Sequence, residues 1–213
     1  INGSLFQVDQ DGQAAAAQDQ PTARRTTRYN PLDARVQTAL ERAVHELLGR
    51  YAQHPCFAGL QINLSDRGHF NFAGDRWGYD AASLARFQRS IGAPLPTDDQ
   101  LRKQLLSGAL RLDFLNERSR ELARFYDRLA DDVVKSRQEA KLLINPARLL
   151  SASASAEAFS EVESRALAAS EILLGCGIDC AGLKANDKIC LLRPETDSPL
   201  RNPVSRAWAF QLA

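Results

Sequence analysis

Three short apolar runs, 57–64, 140–144 and 189–192, set what this chain can become. Long stretches with apolar residues at helical spacing separate them. Strands that alternate with helices pair in parallel, because each helix carries the chain back to the end where the next strand starts, and such crossovers are right-handed. The first run, Phe57 to Leu64, is nearly continuous in apolar residues. That pattern predicts burial on both faces, as in a parallel sheet.

The helical stretches carry their own start and stop signals. Asn30 is the expected N-cap of the first, with Pro31 at its first position and Asp33 near its positive end. Val36, Leu40, Val44, Leu47 and Tyr51 then form one apolar stripe. Asp80 caps a second helix bearing Leu84, Phe87 and Ile91, and Gly92 stops it. A short helix is expected over 98–106 and the longest over 110–137. In the longest, Leu115, Leu122, Tyr126, Leu129 and Val133 share a face beside Phe125. Arg118, Glu121, Arg124 and Asp127 are assigned to its solvated face. Phe159, Val162, Ala166, Ala169 and Leu173 predict another helix, ended by Gly175 and Gly177. The apolar run 3–8 predicts a further strand, and the tail over 204–212 a short strand or the start of a helix. Residues 9–28 are low in complexity and lack large apolar side chains, so they are expected to form a mobile loop.

These elements make one domain over 1–213. Its expected architecture is a partial (β/α)8 barrel with parallel strands and long crossover helices, because three clear strands and 213 residues fall short of a complete barrel of about 250. An open doubly wound sheet is the alternative. The chain starts at Ile1 and contains no Met, so it is read as part of a longer protein. Any targeting segment would then lie outside it, and a secreted or cell-envelope location fits.

Net charge is +1, which gives no reason to expect nucleic acid or an anionic membrane as partner. No run approaches the roughly 18–20 apolar residues that span a bilayer. The four cysteines, Cys56, Cys176, Cys180 and Cys190, lack zinc-ribbon or CxxC spacing. They are expected to serve as small buried hydrophobes, with pairing among the last three left open. No GxSxG, HExxH or phosphate-binding loop is present, and no ligand spacing supports a metal or a cofactor.

Ligands of α/β enzymes collect at the carboxyl ends of the strands. The loop after the first run is therefore the expected site. It holds Asp66, Arg67, His69, Asp75, Arg76, Trp77 and Tyr79. His45 lies beside a helix stripe and is expected to be structural, which leaves His69 as the histidine placed to touch a ligand. Asn145 ends the second run, and Arg193 and Glu195 follow the third.

The stretches YNPLDARVQTAL, LLGRYAQHPCFAGLQINLS, WGYDAASLARF and LARFYDRLAD resemble the glycoside-hydrolase-family-10-like barrel domain of large bacterial proteins. The resemblance covers residues 29–194, and WGYD followed by an amphipathic helix is its most telling part. It implies a barrel that binds a sugar chain at the strand ends and cleaves it with two carboxyl groups. Such groups stand roughly 5–5.5 Å apart in retaining enzymes and about 6.5–9.5 Å apart in inverting ones. Asp66 and Glu195, just after strands, are the expected pair. His69, Asp75, Trp77, Tyr79, Asn145 and Arg193 are the expected substrate contacts, Trp77 and Tyr79 offering flat faces to a pyranose ring. Better-known relatives of this layout place Asn-Glu after the fourth strand, where this chain has Ser65-Asp66. Two other readings remain: a carbohydrate-binding barrel without catalysis, and a structural segment of a larger surface protein.

Overall fold

A computed structural model describes residues 5–15, 27–65, 67–151 and 169–192. Three parallel strands form one sheet in the order β1-β2-β3: β1 Gly59–Asn63, β2 Lys141–Asn145 and β3 Ile189–Leu191. The helices are α1 Ala34–Tyr51, α2 Ala81–Ile91, α3 Asp99–Ser107, α4 Arg111–Ser136, α5 Ala147–Ser151, α6 Ala169–Gly175 and α7 Cys180–Ala185. Sequential parallel strands with no reversal of order wind in a single direction. A doubly wound sheet reverses its strand order, and no reversal occurs among the described residues.

The register sets Leu60, Ile62 and Leu142, Ile144 on one face, with Ile189 beside Leu142. This face packs on Leu122, Phe125, Tyr126, Leu129 and Val133 of α4, Val44 and Leu48 of α1, and Leu183 of α7 in one apolar core. The opposite face carries Gln61, Asn63, Lys141, Leu143, Asn145 and Cys190. Gln61, Asn63 and Lys141 are exposed. The expected burial of β1 on both faces is thus corrected: helices cover one face only among the described residues. The apolar run 57–64 looked continuous because Phe57, Ala58 and Gly59 precede the strand's alternation.

Helices α1 and α4 run parallel, side by side. Arg128 donates to Gln37 (2.8 Å) and Glu41 (3.2 Å). One turn on, His45 Nε2 lies 2.8 Å from Asp132. Arg137 then reaches the carbonyls of His54 (2.6 Å) and Pro55 (3.0 Å), just past the end of α1. His45 is therefore a structural link between two helices.

Helix α1 begins three residues later than expected. Its cap is Asp33, whose side chain accepts from the backbone of Arg35. Asn30 instead accepts from the Leu32 N–H and donates to Asp80. The buried stripe also turns: Val36, Val44 and Leu48 are buried, while Leu47 and Tyr51 are 42% and 50% exposed. Steps of four from Val36 reach Leu48, and only the last turn was misassigned. The run 3–8 is not a strand of the sheet over its described residues. Phe6 bridges Tyr29, and Asp9 bridges Trp77.

Asp80 caps α2 as expected, and Gly92 ends it with φ 65°. The Asp80 carboxylate is 2% exposed. It accepts from Asn30 Nδ2 (3.0 Å), the Ala82 and Ser83 N–H groups (3.1 Å each) and Ser83 Oγ (2.6 Å). Asp80→Ala strands these donors in a dry site and is expected to lower stability by about 2–3 kcal/mol. A urea denaturation midpoint checks it. A loss below about 1 kcal/mol would mean that water replaces the carboxylate.

Arg118, assigned to the solvated face of α4, is 1% exposed. No disulfide joins any of the four cysteines; Cys56 is exposed, against the expectation of burial, and Cys176 is buried. The helix expected around 159–173 and the tail at 204–212 fall mostly or wholly outside the described residues. No helix among the described residues is long and apolar enough to cross a membrane.

Candidate functional site

The site is framed by a length mismatch. Helix α4 has 26 residues, about 39 Å, while the strands beside it have at most five, about 17 Å. Four residues, 137–140, join α4 to the start of β2. The end of α4 is therefore held at the amino end of the sheet, and its first turns overhang the carboxyl end. Phe114 on that overhang packs with Phe87 of α2, Leu95, and Leu106 of α3 in a second apolar cluster. The three helices make a cap beyond the strand ends.

At the strand ends themselves, Asn63 and Asn145 stand in register. Asn145 Nδ2 donates to Asn63 Oδ1 at 3.2 Å, and Gln61 Nε2 donates to the same oxygen at 2.7 Å. Asn145 Oδ1 accepts from the Ala147 N–H at 3.1 Å. This row of amides sits on the face left open by the helices. The sequence reading named Asn145 and missed Asn63, although a polar residue ending an apolar strand was the available signal.

The loop after β1 is held from three sides. Gln7, fully buried, donates to the carbonyls of Tyr29 and Asn71 and accepts from the Ala73 N–H. Tyr126 of α4 donates to the Phe70 carbonyl at 2.5 Å. The Phe72 N–H donates to the Cys176 carbonyl at 2.9 Å. Burial pushes the Tyr126 phenol far up, so it stays a donor. The described part of the supposed mobile loop, residues 9–15 and 27–28, takes part in this framework: Gln10 N–H donates to the Arg76 carbonyl, and Gln7 N–H to that of Arg28.

The expected contact residues meet different neighbours. The His69 ring lies edge-on to Tyr29 at 5.1 Å. Its Nδ1 is buried with no hydrogen-bond partner among the described residues. Asp75 pairs with Arg111 at the start of α4, 3.0 Å away. Trp77 packs on the main core, with the Arg28 guanidinium 5.0 Å above its ring. Tyr79 belongs to the cap, 4.9 Å from the Phe114 ring. Asp66, Arg193 and Glu195 lie outside the described residues.

Arg118, between Asp75 and the cap, carried no sequence signal. Its Nη2 donates to the Gly175 carbonyl at 2.9 Å, and its guanidinium lies 4.6 Å from the Phe72 ring and 5.2 Å from that of Phe114. Burial pulls its pKa down to about 10.

Among the described residues, no group of three or more His, Cys, Asp or Glu could hold a metal. No family model matches the chain, and none of the curated proteins matches it. Among solved structures, a β-galactosidase from the psychrophilic Marinomonas ef1 superimposes with a TM-score of 0.44 at 16% identity, over 67% of this chain and 24% of that one. The chain thus spans about a quarter of that protein, and at this level the likeness decides neither fold nor activity. What the molecule itself defines is a mixed α/β protein with a three-stranded parallel sheet.

Proposed function

We propose that this chain forms part of a (β/α) barrel that binds a carbohydrate at the carboxyl ends of its strands and cleaves a glycosidic bond there. The observation that carries the reading is the amide row of Gln61, Asn63 and Asn145 on the open face of the sheet. Paired amides present donors and acceptors side by side, as vicinal sugar hydroxyls require. Single-direction winding with helices on one face supports the barrel.

Asp66, three residues past β1, and Glu195, four past β3, act as acid/base and nucleophile in this reading. His69, Asp75, Trp77, Asn145 and Arg193 contact the sugar, and Tyr79 contributes from the cap. The test is hydrolysis of a panel of polysaccharides and aryl glycosides. The double variant Asp66→Asn, Glu195→Gln is expected to lower kcat by about a hundredfold or more while oligosaccharide binding persists. Undiminished hydrolysis by the variant discards this carboxylate pair. Binding without hydrolysis in the parent replaces the enzyme with a carbohydrate-binding barrel.

A further inference from the structure

The cap contains a cleft of about 710 Å³ that lies apart from the amide row. This volume is in the range of small-molecule sites, roughly 300–1,000 Å³. One wall is the turn Asp9–Gly12 and the other is α3 with its Leu106, and Tyr79 and Leu84 lie between them. On α3, Gln100, Lys103 and Gln104 stand at i, i+3 and i+4, so they share the face turned to the cleft.

Four of the charged residues lining this cleft, Asp11, Asp99, Arg102 and Lys103, are already engaged in ion pairs. Asp11 pairs with Arg76 at 3.3 Å and with Lys103. Arg102 pairs with Asp99. Asp9 accepts from the backbone N–H groups of Asp11 (2.9 Å) and Gln13 (2.8 Å), which shapes the turn. A strongly charged ligand would have to displace these solvent-exposed pairs. Asp9, with no cationic partner among the described residues, keeps a carboxylate that repels an acidic ligand. The other groups left for a ligand are neutral: the amides of Gln100 and Gln104 and the Tyr79 hydroxyl, none with a hydrogen-bond partner among the described residues. Burial pushes the Tyr79 phenol up, so it is a protonated donor at neutral pH. Phe114 fixes the ring from within the cap.

Neutral donors and acceptors over a floor of Tyr79 and Leu84 suit a molecule with uncharged hydroxyls and a C–H face. We propose that the cleft between α3 and the Asp9–Gly12 turn is a second carbohydrate subsite, selective for neutral over acidic oligosaccharides. The substrate class rests on the proposed function; the cleft shares Tyr79 with that site but uses neither the carboxylate pair nor the amide row.

The experiment is an NMR titration of the whole chain with neutral cello-, xylo-, manno- and malto-oligosaccharides, and with oligogalacturonate as the acidic counterpart. A neutral oligosaccharide is expected to shift the amide signals of residues 9–12 and 100–107. Gln104→Ala and Tyr79→Phe, which alter a surface amide and one hydroxyl, should each weaken that binding roughly threefold to tenfold. Asn63→Ala with Asn145→Ala should leave the cleft shifts in place. The proposal is overturned if no neutral oligosaccharide moves these signals, if oligogalacturonate binds the cleft more tightly, or if both cleft variants bind like the parent. Cleft binding in a protein that hydrolyses nothing would sink the glycosidase and leave this subsite standing. Hydrolysis without cleft shifts would do the reverse.

Discussion

Gly59→Ala lowers the stability of the fold by about 3–4 kcal/mol, a shift of about 150-fold to 900-fold in the folding equilibrium. A β-carbon at this position would stand 2.1 Å from the Lys141 carbonyl oxygen and 2.7 Å from Leu143 Cδ1. Leu143 can turn away, since it lies on the partly open face of the sheet. The carbonyl cannot, because it belongs to the backbone of the central strand. Relief therefore requires β1 to move off β2 at its first residue, where the Lys141 N–H donates to the Ala58 carbonyl at 3.2 Å. Parallel pairing is a ladder, and a displaced first rung weakens those after it. Five register pairs run from Gly59–Lys141 to Asn63–Asn145, so the damage reaches the amide row. The variant should show a lower urea midpoint, faster hydrogen exchange at the amides of β1 and β2, and weaker oligosaccharide binding at the strand ends. An unchanged midpoint would mean that β1 shifts without cost, and the Asn63–Asn145 pairing could then no longer be regarded as fixed by the sheet.

Much of this scaffold is legible in the sequence. Three apolar runs gave three parallel strands in chain order, because a strand's apolar face and the helix that returns the chain leave separate marks in the sequence. Asp80 and Gly92 bounded α2 because capping is local chemistry: a carboxylate on free N–H groups and a glycine in the left-handed region. Several of the misreadings share one cause. Asn30 was taken for a cap since it precedes Pro31, yet its side chain serves Leu32 and the distant Asp80. Gln7 and Asn63 are polar residues whose roles depend on segments tens of residues away. A local reading finds what a residue does for its own turn. It does not find what the residue does for another one. The candidate site shows the same division. The loop 64–80 was identified as framed by strand and helix, and its Trp77, Tyr79 and Asp75 also meet distant neighbours that no local pattern marks: the main core, the cap and Arg111 respectively. Helix α3 was legible over 98–106, but its role as a wall of the cleft left no trace, since Gln100 and Gln104 look like ordinary solvated positions.

Arg118 is the sharpest case of a distant role, and its replacement has the second large effect. Arg118→Ala is expected to cost about 3–4 kcal/mol, while Arg118→Met stays within about 1 kcal/mol of the parent or exceeds it. The side chain fills the space between Phe72 and Phe114, and Gly78 lies against it so closely that a β-carbon there would stand 3.0 Å from Arg118 Nη1. Truncation to Ala empties that space and removes the bond to the Gly175 carbonyl. The charge itself contributes little to holding the fold. Nε and Nη1 are buried without hydrogen-bond partners among the described residues, and Asp75 and Tyr79 act on the guanidinium only at a distance. Burial takes the pKa from 12.5 to about 10, which corresponds to about 3 kcal/mol against folding. The unfolded chain holds this proton more tightly, so the cost is fully present at neutral pH and fades only as pH climbs through 10 towards 12.5. Methionine keeps the length and the contact with both rings and avoids that cost. Thermal and urea denaturation of the two variants decide the matter. If Met destabilises as much as Ala, the stacked cation and its bond to Gly175 are what join the cap to α6, and the volume between the rings is secondary.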